Sequence, residues 1–193
     1  AQDNPTAKTA KAKVVRLAPE IFTPEQMRLV LEHAPAEFIP YLVIGGFAGL
    51  RSAEIKRLDW SEINLGRKLI NVKAEKSKSA QRRLVDISDN LAAWLAPHVK
   101  SSGAVAKLVR DSREKTCKSA KIEWPSNALR HSFASYHLAH HQNAAITATQ
   151  LGHTSPTMLY KHYREVVRPD EADKWWSILP PAEYGNIVAF SAK

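Results

Sequence analysis

Apolar residues recur at helical spacing along most of the chain. The first helix follows Thr23, a typical N-cap residue, and has Pro24 at its first position. Its apolar face carries Met27, Val30 and Leu31. Further helices are predicted at 37–49, 52–65, 89–99, 126–142, 143–152, 155–167 and 168–179, with a weaker amphipathic pattern at 100–121.

The segment 52–65 is predicted to form one continuous helix. Ser52 is its expected N-cap, and Ile55, Leu58 and Ile63 form its inward stripe. A helix of this kind buries one face and leaves its charged residues in solvent.

Strand-like alternation replaces the helical pattern at 68–73 and 82–88, on either side of a polar, lysine-containing turn. The apolar positions of these two segments are Leu69, Val72, Leu84 and Ile87. We expect an antiparallel hairpin with a strongly cationic turn. The sequence therefore predicts a mainly α fold with a small antiparallel β-sheet, of the α+β class.

Three parts are expected along the chain. Residues 1–19 mix Ala, Lys, Thr and Pro without apolar periodicity, which is typical of a basic linker or arm. Residues 20–179 form the folded domain. Residues 180–193 form a C-terminal tail that becomes apolar again near its end.

The positive charge of the chain is concentrated in its middle. The 193 residues include 28 Lys and Arg against 19 Asp and Glu, a formal net charge of +9. Residues 51–125 hold 17 basic and 9 acidic residues, which is 17 − 9 = +8. A polyanion such as nucleic acid is a natural partner for such a stretch. Charge alone leaves a solvated basic face as the other interpretation.

Composition excludes several classes of protein. With 44% hydrophobic residues the chain can bury a core, which excludes a wholly disordered basic tail. No apolar run approaches the roughly 20 residues of a membrane helix, so no membrane partner is expected. The single cysteine, Cys117, cannot form an internal disulfide or a multi-thiolate metal site, and it fits a reducing cytoplasm.

Several ordered segments carry residue types suited to chemistry on phosphates. They are GGFAGLRSAEIKRLDWSEI at 45–63, NALRHSFAS at 127–135, QLGHTSP at 150–156 and HYREV at 162–166. In this order they resemble the first arginine box, the H-x-L-R-H box, the LGH turn and the nucleophile helix of the tyrosine recombinases, or phage integrase family. The resemblance covers about 20–179 and implies the catalytic domain of that family.

The resemblance implies that Arg51 and Arg130 clamp a scissile phosphate. Attack on a phosphodiester puts extra negative charge on the non-bridging oxygens, and stabilising that charge is most of the catalytic task. A planar guanidinium suits it because it binds two oxygens at once and keeps its proton. Glu54, one helical turn after Arg51, is expected to orient it or its neighbours.

By its position in the family pattern Tyr163 is the nucleophile, forming a reversible phosphotyrosyl link. Tyr160 lies three residues earlier and is the alternative. The family commonly has about nine residues between the LGH histidine and the nucleophile. The spacing from His153 is ten residues to Tyr163 and seven to Tyr160.

The same resemblance assigns two further roles. His153 is expected to bind a phosphate oxygen from the turn between two helices. A hairpin lysine is expected to protonate the departing 5′ oxygen, with Lys76 as the first choice and Lys78 as the alternative.

Asn127 is the clearest departure from the family pattern, because histidine is usual at this position. An asparagine can donate a hydrogen bond to a phosphate but cannot carry a proton. Slower chemistry, compensation by a neighbour or loss of activity are all consistent with it. His131 follows Arg130 directly and is interpreted as structural. Ser126 is the expected N-cap of the helix that follows.

His137, His140 and His141 have the spacing of ligands on one helical face. No thiolate or carboxylate near them in sequence completes a metal set, and the resembled family needs no metal or other cofactor. We therefore expect neither a bound metal ion nor another cofactor. Trp175 and Trp176 are expected to be core anchors.

The leading hypothesis is the catalytic domain of a DNA recombinase or integrase of a phage or other mobile element. Its partners would be double-stranded DNA and further copies of itself, as a tetramer on DNA that exchanges the tail in trans, in the cytoplasm at the nucleoid. A catalytically impaired DNA-binding relative is the first alternative, and a metal-dependent nuclease is the second.

Overall fold

The computed structural model describes residues 19–76, 82–153, 155–157, 159, 163 and 166–182, with only the backbone of Lys76. Residues 1–18 of the arm proposed at 1–19, and residues 183–193 of the tail proposed at 180–193, lie outside this range. The α-helices of the described residues are α1 (Pro24–His33), α2 (Ile39–Ala48), α3 (Ser52–Arg57), α4 (Asp89–Leu95), α5 (Val109–Ala120), α6 (Ala128–His141), α7 (Ala144–Leu151) and α8 (Pro169–Trp176).

Helix α1 begins as the sequence predicts. The side chain of Thr23 accepts from the amide of Gln26, and the Gln26 side chain accepts from the Thr23 amide. This reciprocal capping box satisfies two amides that a helix start otherwise leaves unpaired.

Helix α2 forms the centre of the core, and each of its ten residues is buried. It packs against α4 and α6. The Trp175 indole donates to the carbonyl of Gly46 at 3.3 Å, and its ring stacks on Tyr136. Trp175 is thus the predicted core anchor, while Trp176 is only half-buried.

The continuous helix predicted at 52–65 is wrong. Helix α3 ends at Arg57, because Leu58 turns to an extended backbone and Asp59 caps a short 3-10 turn at Trp60–Glu62. Ile63 is still buried, but in a strand rather than on a helix.

The predicted hairpin is present and gains a third strand. The antiparallel order is β1 (Ile63–Asn64), β2 (Leu69–Val72) and β3 (Arg83–Asp86). In the register Leu69 faces Asp86 and Val72 faces Arg83. The buried positions of β2 and β3 are Ile70, Val72 and Val85, whereas Leu84 is half-exposed. This alternation is the strand period of two residues.

Helix α6 begins one residue later than expected. Its N-cap is Asn127 rather than Ser126, in the left-handed region at φ 55°. Asparagine is among the few residues that adopt this region readily. Within the helix predicted at 155–167, the structure describes 155–157, 159, 163, 166 and 167, and 157, 159 and 163 are helical. Among the described helices, none is both long and apolar enough to cross a membrane.

Candidate active site

Arg51 precedes α3 and is tied to the third residue of that helix. Its amide donates to Oε2 of Glu54 at 2.9 Å, and its guanidinium donates to Oε1 at 3.1 Å. The Arg51 side chain is 25% exposed, whereas that of Glu54 is 1% exposed. Glu54 therefore orients Arg51, as the sequence predicts, and leaves part of the guanidinium accessible.

The Glu54 carboxylate also binds Arg83, a residue of β3 that the sequence analysis missed. The Arg83 guanidinium donates to both oxygens, at 3.0 and 2.8 Å, and to the carbonyl of Gln150 at 3.3 Å. Burial of Glu54 opposes its ionisation, but the Arg83 hydrogen bonds and the Arg51 amide outweigh this and lower its pKa. The carboxylate is thus held ionised between two arginines.

Gly152 makes room for Arg83. A Cβ atom on this glycine would lie 2.9 Å from Cδ of Arg83, and its φ of +65° is one that other residues rarely adopt. The glycine of the LGH turn therefore brings α7 against the arginine of β3.

Arg130 on α6 reaches across the domain to two backbone carbonyls. It donates to the carbonyl of Gly49, just before Arg51, and to that of Leu151 at 2.8 Å. It also donates to Nε2 of His153 at 3.1 Å. One side chain thereby joins the arginine box, the H-x-L-R-H box and the LGH turn.

The arginine cluster (Arg51, Arg83 and Arg130) carries excess positive charge. Burial, followed by the repulsion of Arg51, lowers the pKa of Arg130 to about 9. Two guanidinium groups bind the Glu54 carboxylate and that of Arg130 lies within electrostatic reach of it, a local balance of 3 − 1 = +2. An anion with several oxygens, such as a phosphodiester, would offset this charge.

His153 faces the same cluster as a neutral ring. Burial, and then the charges of Arg130, Arg51 and Arg83, lower its pKa to about 4. Because Arg130 can only donate, Nε2 accepts and the neutral ring carries its hydrogen on Nδ1. That Nδ1 is buried and has no hydrogen-bond partner among the described residues.

The Tyr163 phenol lies close enough to Arg130 for their charges to interact. Its ring packs at the edge of an apolar cluster that includes Phe133 and Leu159. Its oxygen lies 2.6 Å from Nδ1 of His131. His131 therefore contacts the hydroxyl of the candidate nucleophile. The sequence analysis, which interprets His131 as a structural residue, does not predict this contact.

Asn127 is exposed and lines the same cavity as Arg130, with a volume of about 430 Å³. It contributes an amide there. The side chain of Lys76 and all of Lys78 and Tyr160 lie outside the described atoms, so the choice between the two lysines and the placement of Tyr160 stay predictions.

The three histidines of α6 with ligand-like spacing, His137, His140 and His141, line a different cavity of about 480 Å³. His137 is buried and bonded to Thr147 at 2.8 Å, and burial lowers its pKa to about 3. His140 lies 3.4 Å from Asp173, a carboxylate distant in sequence. Within the ranges that the structure describes, no set of three His, Cys, Asp or Glu residues is arranged to hold a metal ion.

Comparison with known proteins decides the family. The model of the phage integrase family matches residues 41–168, which include the arginine box, Arg130, His153 and Tyr163. This chain belongs to the phage integrase family. The resemblance inferred from the motifs and the predicted fold class are both confirmed. Among curated protein sequences, none matches the chain significantly.

Solved structures of other integrases and recombinases share this fold. The catalytic domain of bacteriophage HP1 integrase is 25% identical, with a TM-score of 0.60 over 75% of this chain and 86% of its own. XerA recombinase is 19% identical, with a TM-score of 0.63 over 77% of this chain. A lambda integrase dimer bound to a core site is 17% identical, with a TM-score of 0.60 over 84% of this chain and 65% of its own. This integrase-family chain spans 62% of the XerA structure.

Two residues of this integrase-family site escaped the sequence analysis. The sequence predicts Arg83 only as part of a cationic hairpin, although its position two residues before the apolar Val85 places both on the same face of the strand. His131 was assigned away from the site because neighbouring helical residues point about 100° apart. The side chain of His131 does point away from that of Arg130, but in its own direction it contacts Tyr163.

Proposed function

We propose that this domain cuts and rejoins double-stranded DNA through a 3′-phosphotyrosyl intermediate on Tyr163. The observation that carries the proposal is the convergence of Arg51, Arg130 and His153, with the Tyr163 phenol within electrostatic reach of Arg130. Membership of the phage integrase family supports the same activity.

In the proposed reaction the Tyr163 oxygen attacks phosphorus, a P–O bond forms to the tyrosine, and the bond from phosphorus to the 5′ oxygen breaks. Arg51 and Arg130 stabilise the charge that develops on the non-bridging oxygens. His153, which lies beside Arg130, hydrogen-bonds one of these oxygens. The 5′ hydroxyl of a partner strand then reverses the step and releases Tyr163.

Two further groups complete the proposed site. Lys76, or Lys78 in its place, protonates the leaving 5′ oxygen. Asn127 donates a hydrogen bond where the family pattern has histidine, without supplying a proton.

The partners in this proposal are double-stranded DNA at the nucleoid and further copies of the chain, assembled as a tetramer. The lambda integrase dimer bound to a core site, which has the same fold, is consistent with it. Residues 20–179 would form the catalytic domain, 1–19 a basic arm, and 180–193 a tail exchanged between copies. Because much of the affinity would come from Lys and Arg contacts to phosphates, binding should weaken steeply with salt.

A second function, DNA binding without cleavage, is favoured by one observation. Asn127 replaces a group that can carry a proton with one that cannot. Covalent capture of DNA distinguishes the two functions directly.

The experiment uses a pool of nicked duplexes with randomised sequence around the nick. Cleavage near the nick releases a short 5′ fragment, so that rejoining is blocked and the covalent complex accumulates. Complexes that survive detergent are recovered and their DNA is sequenced. We expect adducts from the wild type and from Tyr160→Phe, and none from Tyr163→Phe. Adducts from Tyr163→Phe would exclude Tyr163 as the nucleophile, and loss of adducts in Tyr160→Phe alone would assign that role to Tyr160. DNA binding without adducts in the wild type would support the binding-only function.

A further inference from the structure

The hydroxyl of Tyr163 has a specific partner in the folded chain. Its oxygen lies 2.6 Å from Nδ1 of His131, with the ring centroids 5.7 Å apart. This is a short hydrogen-bond distance between an imidazole and a phenol. His131 lies on α6, directly after Arg130, and so is carried by the helix that also carries a phosphate-binding candidate.

Tyr163 needs a group that accepts its proton. Burial raises the pKa of the phenol, an effect that the positive charge of Arg130 only partly opposes. The hydroxyl therefore keeps its hydrogen near neutral pH, and a neutral phenol is a poor nucleophile.

Among the residues that the structure describes, the other charged and titratable groups near this pair do not fill that role. The arginine cluster consists of donors only. The acceptor nitrogen of His153, Nε2, is already engaged by Arg130. Glu54 is engaged by Arg51 and Arg83, which leaves its carboxylate a weak base.

We infer that His131 is a catalytic residue, the base that accepts the phenol proton as Tyr163 attacks. This inference rests on the proposed function. In the step, the Tyr163 oxygen bonds to phosphorus while its hydrogen moves to Nδ1 of His131, giving an imidazolium. The P–O5′ bond breaks, and the 5′ oxygen takes a proton from the hairpin lysine. When the strand is rejoined, His131 returns its proton to the departing tyrosine oxygen.

This role offsets the change at position 127. An asparagine there cannot exchange a proton, but the base at His131 lies on the same helix, four residues later. The site thereby keeps a proton acceptor while Asn127 keeps a hydrogen-bond donor near the phosphate.

Single-turnover covalent capture tests the inference, with a nicked duplex recovered from the randomised pool. We expect His131→Gln, which keeps polarity but accepts no proton at neutral pH, to slow adduct formation by about 100-fold. DNA affinity should change little. The wild-type rate should rise with pH as a histidine loses its proton, and His131→Gln should lose this rise.

The control is His140→Gln, a change on the same helix at a side chain that is half-exposed and bonded to Asp173 instead. It should leave both the rate and the pH profile unchanged. His131→Ala provides a second variant, because added imidazole should restore part of its activity if the missing function is proton transfer.

The outcomes separate this inference from the proposed function. Suppose that His131→Gln keeps the wild-type rate and pH profile while Tyr163→Phe still forms no adduct. This result would overturn the role of His131 and leave the proposed function standing. Failure of imidazole to restore a folded, DNA-binding His131→Ala would also count against it. Absence of adducts from the wild type would overturn both proposals.

Discussion

Arg83 donates to both carboxylate oxygens of Glu54, at 3.0 and 2.8 Å, and Glu54 in turn binds Arg51. The first arginine belongs to β3, while the other two residues belong to the arginine box. The small sheet is therefore joined by a buried ion pair to the segment that presents Arg51. The hairpin thus positions the site through Arg83.

Arg83→Lys should reduce covalent capture of DNA by about tenfold or more, because lysine cannot bind both oxygens of Glu54 and Arg51 would lose its fixed geometry. Arg82→Lys is the matched control, since Arg82 is exposed and makes a 3.3 Å hydrogen bond to Asn71. Equal rates for the two variants would show that Arg83 does not position the site. Single-turnover capture on a recovered duplex provides the measurement.

Glu54→Gln should destabilise the fold by about 3 to 5 kcal/mol, because it leaves Arg83 buried without its carboxylate. Urea denaturation measures the free energy of unfolding. Glu32→Gln, at an exposed position of α1, should change it by less than about 0.5 kcal/mol. If Glu54→Gln lowered the free energy of unfolding as little as Glu32→Gln, the result would contradict a stabilising buried ion pair.

The same pair has a pH dependence with a definite sign. The folded pKa of Glu54 lies below its ordinary value of 4.5. Between these two values the unfolded chain binds more protons, so the ion pair's contribution is present above pH 4.5 and is lost as the pH falls toward the folded pKa. The difference in unfolding free energy between wild type and Glu54→Gln should therefore shrink on acidification. A constant difference would contradict the lowered pKa.

Gly49→Ala should destabilise the protein by more than about 1 kcal/mol. Gly49 has φ +66°, and a Cβ there would lie 2.3 Å from Cδ1 of Phe133. In Gly66→Ala the nearest atom would be 3.6 Å away, so this control should change stability by less than about 1 kcal/mol. Because Gly49 also accepts from Arg130, its replacement should lower covalent capture as well. Thermal melts of the two variants compare their stability directly. Equal melting temperatures would contradict the close approach of Gly49 to the Phe133 ring.

The sequence predicts structure best where a pattern of neighbouring residues determines it, and least well where a side chain contacts a residue far away in the chain. The Thr23 cap and the β2–β3 hairpin follow from patterns a few residues long. The end of α3 does not, since Ile63 suits a buried helix and a buried strand equally well. The contacts of Arg83 and His131 join residues 29 and 32 positions apart, which no local pattern encodes.

Asn127→His should raise the rate of covalent capture, by about tenfold, because it restores a group that can carry a proton at the helix start. Histidine tolerates the left-handed backbone that position 127 requires. Asn127→Ala, which removes the amide donor, should lower the rate. The single-turnover rates of the two variants, each checked for folding by circular dichroism, test this. Equal rate losses in both would contradict a role for proton exchange at this position.

The central claim is that Arg51 and Arg130 bind one phosphate beside the Tyr163 hydroxyl. Mass spectrometry of the covalent complex tests it most directly, by protease digestion, removal of all but the linked nucleotides, and location of the modified residue. We expect the nucleotide on the peptide that contains Tyr163, and no complex when Arg51 or Arg130 is replaced by alanine. A nucleotide on Tyr160 or on another side chain, or undiminished complex in both alanine variants, would contradict the claim.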